Sequence, residues 1–290
     1  MKSIYYATDL HAEFMELCKD GKQREVFSTG YNVLDEYMNL APGYVGIATG
    51  IPSMGKSEFA DAVAVNMAII YGWKWCFFSP ENYPIAEHMG KLAEKYIGKR
   101  LDLFTVKEKQ AASSWINEHF VWLYPPEDDL NLSNILKLVC EVNKTFALNA
   151  FILDPWNEIT HDQQGKRDDQ YLSVALRTLR RFCRDKNHFG LVIAHPNKTE
   201  KNTDGTYKPP SLYDLNGGAM WRNKADYGFC IHRPDVRQHR IEVHIGKVKF
   251  KWMGKPGVIN LDYDVQSGRF KDTFEKKFTL PEERFPDAPF

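Results

Sequence analysis

Gly50-Ile51-Pro52-Ser53-Met54-Gly55-Lys56-Ser57 matches G-x-x-x-x-G-K-S, a spacing in which glycine backbone lets successive N–H groups curl around phosphate oxygens. The apolar run Tyr44–Thr49 leads into it as a strand. A helical pattern, Ser57–Tyr71, leads out, with the helix beginning at Lys56. The helix N-terminus adds positive potential where the phosphates would sit. In such a loop the lysine, Lys56, reaches the β- and γ-phosphates, and the Ser57 hydroxyl binds Mg²⁺. A chance glycine-rich turn would lack this strand–loop–helix setting.

Outward from the loop, short apolar runs alternate with helical patterns. Trp73–Ser79, Phe120–Tyr124, Phe151–Asp154 and Leu191–Ala194 read as strands, and Ile85–Ile97, Leu132–Phe146 and Tyr171–Lys186 as helices. This alternation implies an α/β fold with a mostly parallel central sheet and helices on both faces. After Ala225 the pattern changes to Tyr227–His232, Arg240–Val248 and Val258–Tyr263 without intervening helices, which predicts an antiparallel C-terminal extension on one sheet edge. Residues 1–27 read as an amphipathic helical linker or docking segment, with Leu10, Phe14 and Leu17 at helical spacing. Residues 28–272 form the main domain, and 273–290, with three prolines in Phe274–Phe290, a flexible tail.

Phe151-Ile152-Leu153-Asp154 is an apolar strand ending in a carboxylate, the form of a Walker B motif. Asp154 is expected beside the loop, at the strand edge where open α/β sheets bind ligands, holding Mg²⁺ through its water shell. Hydrolysis of a phosphate chain also needs a base or water-orienting group. Glu81 leaves its strand in Ser79-Pro80-Glu81-Asn82, and that strand is expected to neighbour the loop strand; Glu158, four residues after Asp154, is the rival. His195 ends the strand Leu191–Ala194, placed to contact the γ-phosphate and pass its loss to the following loop. A satisfied, half-buried histidine is the plainer alternative. Two loops flank these strand ends. Thr160 to Asp169 carries Lys166 and Arg167, and Asn197 to Gly218 carries Lys198, Lys201, Lys208 and the pair Gly217-Gly218. Lysines and backbone amides here suit a single-stranded phosphate backbone, although lysines also keep long loops soluble.

The chain has 290 residues, 43% apolar and 26% charged, which suits one large globular domain. Lys+Arg equals Asp+Glu at 38 each, so any basic surface must be local; His244–Lys255, with Lys247, Lys249, Lys251, Lys255 and no carboxylate, is one. Five cysteines, none in a CxxC pair, argue against a zinc knuckle or disulfide framework and fit a reducing cytosol. No apolar run approaches the ~20 residues that span a bilayer, and Met1–Tyr6 has no signal-peptide core. A soluble, cytoplasmic protein without a membrane partner is expected.

Together, over about residues 25 to 270, these features resemble the RecA-like motor domain of hexameric DnaB-family replicative helicases, in the branch of the phage primase-helicases and mitochondrial Twinkle. Phe27-Ser28-Thr29-Gly30 with Leu34-Asp35 resembles the segment before the family's first strand, and Gly50–Ser57 its first motif. Ser79-Pro80-Glu81-Asn82 resembles the motif with the catalytic glutamate. Leu153-Asp154-Pro155 is similar to its Walker B motif, Ala194-His195-Pro196 to its histidine phosphate sensor, and Gly217-Gly218-Ala219 with Ala225-Asp226 to the segment after its DNA-binding loop. The family's basic hairpin, Lys-x-Arg, reaches into the next subunit's nucleotide. The matching Lys247-Val248-Lys249 puts lysine, which lacks the planar guanidinium fork, at the arginine position.

The resemblance implies a RecA-like P-loop NTPase that hydrolyses ATP or dTTP with Mg²⁺. It implies translocation on single-stranded DNA as a homo-oligomeric ring, a hexamer with nucleotide between subunits, in the host cytoplasm if phage-encoded. The terminal Pro286-Asp287-Ala288-Pro289-Phe290, behind Glu282 and Glu283, resembles acidic tails that dock replication proteins. The absence of a primase-like segment suggests a helicase-only form or a fragment. Two other readings share the loop: a RecA/RadA-like recombinase filament, and a scaffold that uses nucleotide only to assemble.

Overall fold

Short strands buried along their whole length form the middle of the molecule: β1 (Val45–Thr49), β2 (Trp75–Phe78), β4 (Ala150–Leu153) and β5 (Phe189–Ile193), with β3 (Phe120–Leu123) partly buried at one side. β6 (Tyr227–His232), β7 (Arg240–Val248), β8 (Gly257–Asp264) and β9 (Arg269–Asp272) complete a nine-stranded sheet among the described residues. The computed structural model describes residues 4–19, 25–160, 168–197, 199–203 and 205–272. The tail expected at 273–290 lies outside them.

The strand order is β3-β2-β4-β5-β1-β6-β7-β8-β9. Every pairing from β3 to β6 is parallel, and β6–β7, β7–β8 and β8–β9 are antiparallel. The expected fold class is therefore the observed one. One expected neighbour is not. β1 lies between β5 and β6, and β2 is separated from it by β4 and β5. Strands apolar on both faces have interchangeable patterns, so their order is not encoded in any one of them.

The helices are α1 (His11–Leu17), α2 (Asn32–Asp35), α3 (Lys56–Tyr71), α4 (Ile85–Ile97), α5 (Val106–His119), α6 (Leu132–Phe146), α7 (Asp168–Lys186) and α8 (Ala219–Lys224). Side-chain alternation in the sheet splits the core in two. Trp75, Phe77 and Ile152 face α3, α4 and α5, packing with Phe59, Leu92 and Trp115. Cys76, Phe78 and Phe151 face α6, α7 and α8, packing with Val139, Leu176 and Trp221. Four elements were not expected from the sequence: the short helices α2 and α8, the helix α5 and the strand β9. Thr105 opens α5 with a capping box closed by Glu108. Within the first 27 residues, Ala7–Leu10 and His11–Leu17 are helical, with Leu10, Phe14 and Leu17 exposed, while Phe27 packs edge-on against Tyr71 and Trp73.

β9 is fastened to α4 by one side chain. The Arg269 guanidinium donates to Lys95 O at 2.6 Å and Tyr96 O at 2.8 Å, satisfying carbonyls near the helix C-terminus, where a cation is favoured. Arg269→Ala is expected to cost about 1.5–3 kcal/mol in urea unfolding, the range for hydrogen bonds from a charged donor. Arg269→Lys should recover only part of this, because an ammonium cannot fork across two carbonyls. Wild-type stability in Arg269→Ala would remove this clamp from the account.

Candidate active site

The C-terminal ends of β1, β2, β4 and β5 share one edge of the sheet. The phosphate loop leaves β1 at Gly50, whose φ is +152°, and a Cβ there would stand 2.3 Å from Ile231 O on β6. Gly55, at φ +91°, turns the chain into α3. Only glycine fits the first position, and the second strongly favours it. Within the loop Ile51 and Met54 are buried, while Pro52 and Ser53 are exposed. Lys56 is 6% exposed, and its Nζ donates to Ile51 O at 3.1 Å. Burial pulls its ammonium below the usual lysine range, against the attraction of Asp154 and Glu81.

One cavity of about 690 Å³ collects most of the expected groups: Pro52, Ser53, Gly55, Lys56, Ser57, Glu81 and His195 all line it. Asp154, 3% exposed at the end of β4, accepts a hydrogen bond from the Ser57 hydroxyl. Burial, with the nearby Asp61 and Glu81 carboxylates, pushes Asp154 up to about 6. The pair is all oxygen, and the attraction of Lys56 offsets the burial of the Asp154 carboxylate only in part. Ser57 and Asp154 therefore fit a hard divalent cation.

His195 Nε2 lies 3.4 Å from Glu81 Oε1, and its backbone N–H donates to Asn157 Oδ1 at 2.9 Å. Burial and the Lys56 charge lower the imidazole, leaving it neutral at pH 7. Glu81 thus arrives although its strand does not adjoin β1: the arm beyond β2 spans the gap. Among the described residues, Glu158 is not part of the cavity wall. His195 also lines a second cavity of about 180 Å³, with Trp156, Leu172, Asn197, Asn216 and Trp221.

Other expected groups lie elsewhere. Lys201 stacks over Tyr207 at 4.9 Å, and Lys208 pairs with Glu200 at 2.9 Å, so both are engaged within their own loop. The Gly218 N–H donates to Leu215 O at 2.9 Å, and a Cβ at Gly217 would meet Leu172 at 2.6 Å; this pair closes a turn. Lys166, Arg167 and Lys198 lie outside the described residues. Lys247 and Lys249 sit at the opposite sheet edge, away from the cavity. Lys247 Nζ donates to Arg222 O, and Lys249 Nζ lies 2.9 Å from Asp226 Oδ1, which Arg180 also contacts at 2.9 Å. Asp226 in turn accepts from Val45 N, at the start of β1.

The far wall was not expected from the sequence. Arg233, His239, Ile241, Tyr263, Val265 and Phe270 come from β6 to β9 and the turns between them. The register Thr49↔Cys230 places Arg233 just beyond the loop edge. Strand pairing was the one clue to it.

A family model described as the DnaB-like helicase C terminal domain matches residues 27–272. The chain belongs to that family. It is 30% identical over 277 residues to the Twinkle homolog protein, chloroplastic/mitochondrial, of Arabidopsis thaliana, covering 89% of this chain and 38% of that protein. It is 25% identical over 240 residues to a probable plasmid replicative DNA helicase of Chlamydia trachomatis, covering 77% of this chain and 50% of that protein. The chain thus spans half or less of the curated relatives it matches. Two solved structures share the fold. One, described as an ATPase domain, has TM-score 0.71 at 16% identity, over 93% of this chain and 99% of that one. A DnaB-like replicative helicase, described with its interactions with primase, has TM-score 0.73 at 18% identity, over 91% and 67%. Among the described residues of this DnaB-like chain, no helix is long and apolar enough to cross a membrane.

Asp154 sets a pH dependence. In the folded chain it loses its proton at about 6, and in the unfolded chain at about 4. Ionised Asp154 therefore burdens the ligand-free fold fully above about 6 and not at all below about 4. Asp154→Asn is expected to raise stability by up to about 3 kcal/mol at pH 8, a gain that shrinks through this window on acidification. Denaturant unfolding at several pH values checks it; a gain independent of pH would exclude this cause.

Proposed function

We propose that this chain is the motor of a ring-forming replicative DNA helicase, in which nucleoside triphosphate hydrolysis drives translocation on single-stranded DNA and duplex unwinding. The observation that carries this reading is the convergence of Lys56, Ser57, Glu81 and His195 on one cavity in a chain of the DnaB-like family. Relatives named as replicative helicases favour it over a recombinase or a scaffold.

In this reading ATP or dTTP lies with its phosphates on the Gly50–Ser57 amides and the Lys56 ammonium. Arg233 and Tyr263 wall the far end of the cavity. Ser57 and Asp154 hold Mg²⁺, which screens charge on the phosphate oxygens when bound. Glu81 orients the attacking water and takes its proton as the new O–P bond forms and the bond to the β-phosphate breaks. Neutral His195, beside Glu81, senses the γ-phosphate. As the residue shared by the two cavities, it passes phosphate loss to the loop from Asn197 to Gly218. That loop, through Lys198, Lys201 and Lys208 and together with Lys166 and Arg167, takes the DNA strand, Lys208 after leaving Glu200.

Lys247 and Lys249 act on the nucleotide of a neighbouring copy, Lys249 after leaving Asp226. The exposed row Leu10, Phe14 and Leu17 in residues 1–27 docks on another copy of the 28–272 motor, and the 273–290 tail takes replication partners.

A forked duplex tests the whole. Assembled wild-type chain is expected to separate it only with nucleotide, and Lys56→Ala to lose both nucleotide binding and unwinding. Glu81→Gln should keep binding while turnover falls at least ~100-fold, the size expected for a lost general base. Absence of nucleotide-dependent unwinding by the assembled wild type refutes the helicase reading, and strand binding without unwinding would favour the recombinase.

A further inference from the structure

α3 starts from the phosphate loop, and α4 starts from the arm that carries Glu81. Beside the apolar packing of Phe59 with Leu92, these helices share polar pairs. His88, Lys91 and Lys95 of α4 meet Glu58 and Asp61 of α3. His88 Nε2 lies 3.0 Å from Asp61 Oδ1, and Trp122 Nε1 donates to His88 Nδ1 at 3.0 Å. Because an indole N–H only donates, Nδ1 must accept, and Nε2–H donates to Asp61. Lys95 Nζ, buried, stands 2.6 Å from Glu58 Oε2.

Lys91 differs from these two. Its Nζ lies 3.4 Å from Glu58 Oε1 and also donates to Asn82 Oδ1 at 3.1 Å. Asn82 Nδ2 in turn donates to Ser79 Oγ at 2.8 Å. Glu58 follows Ser57 in the chain, and Asn82 follows Glu81. A single ammonium therefore links the residue after the phosphate loop to the residue after the water-activating carboxylate. The Glu81 carboxylate itself is half exposed, and its contact with His195, at 3.4 Å, is long. Its reach is set mainly by its backbone.

We propose that Lys91 is a positioning residue for Glu81, bracing the arm through Asn82 against Glu58 at the first turn of α3. This rests on the reading of Glu81 as the group that activates water. The Lys91 side chain is 42% exposed, so its ion pair contributes little to stability. Placement is another matter, since a displacement of ~1 Å in a reacting group lowers rate by up to ~100-fold.

The test measures nucleotide turnover, KM and Tm of the assembled full chain with single-stranded DNA. Lys91→Met is expected to lower kcat about tenfold, within that range, with KM and Tm unchanged, and Lys91→Arg to restore it. Asn82→Ala should give the same loss, and the double variant no further loss, because both cut one link. Wild-type kcat in Lys91→Met overturns the proposal. So does a wild-type rate in Asn82→Ala beside a slow Lys91→Met, which would place Lys91 on the nucleotide itself. If Lys91→Met fails to fold, Asn82→Ala decides alone. Glu81→Gln is run alongside: wild-type turnover there refutes the reading of Glu81, whereas a dead Glu81→Gln with active Lys91 and Asn82 variants refutes only the brace.

Discussion

The phosphate loop leaves β1 through a gap that has no room for a side chain. At Gly50 the backbone passes so close to Ile231 O that one methyl group would collide, and the Thr49 hydroxyl ties the same point to Ala194 O at 2.9 Å. β1 is thereby clamped between β5 and β6, where the parallel and antiparallel parts of the sheet meet. The division of labour follows. The parallel side delivers the polar groups, Asp154, Glu81 and His195, at or just beyond strand ends, and the antiparallel side delivers the cavity's far wall.

What could be read from the sequence was local. The Gly50–Ser57 loop, its strand and its helix are contiguous, and the apolar run into Asp154 announces itself within four residues. Strand order was not legible, since β1, β2, β4 and β5 are all apolar on both faces and no pattern records which neighbours which. α5 carried its own clue in Thr105 and Glu108, but polar residues break up its apolar stripe. β9, Arg-Phe-Lys-Asp, becomes a strand because β8 offers it an edge. The far wall was hidden for the same reason, as Arg233 and Tyr263 reach one cavity only after β6, β7 and β8 have paired.

Charge is balanced differently at the two edges of β1. At the loop edge, buried Lys56 and buried Asp154 each sit away from their ordinary titration range, a cost tolerated where ligands bind. At the other edge, Asp226 holds Val45 N, Arg180 and Lys249 together. That carboxylate is a structural tie first. A cation drawn from it toward another molecule leaves Arg180 behind, so the buried charge stays compensated.

His195 belongs to two cavity walls at once, one facing the phosphate loop and one facing the Asn197–Gly218 loop. Its side chain is common to both linings. A ligand that shifts this ring from either side necessarily changes how well the other side fits its own ligand. Thermodynamic linkage makes the two effects equal: whatever factor nucleotide imposes on affinity at the loop, the loop's ligand returns to the nucleotide. The wall works in both directions.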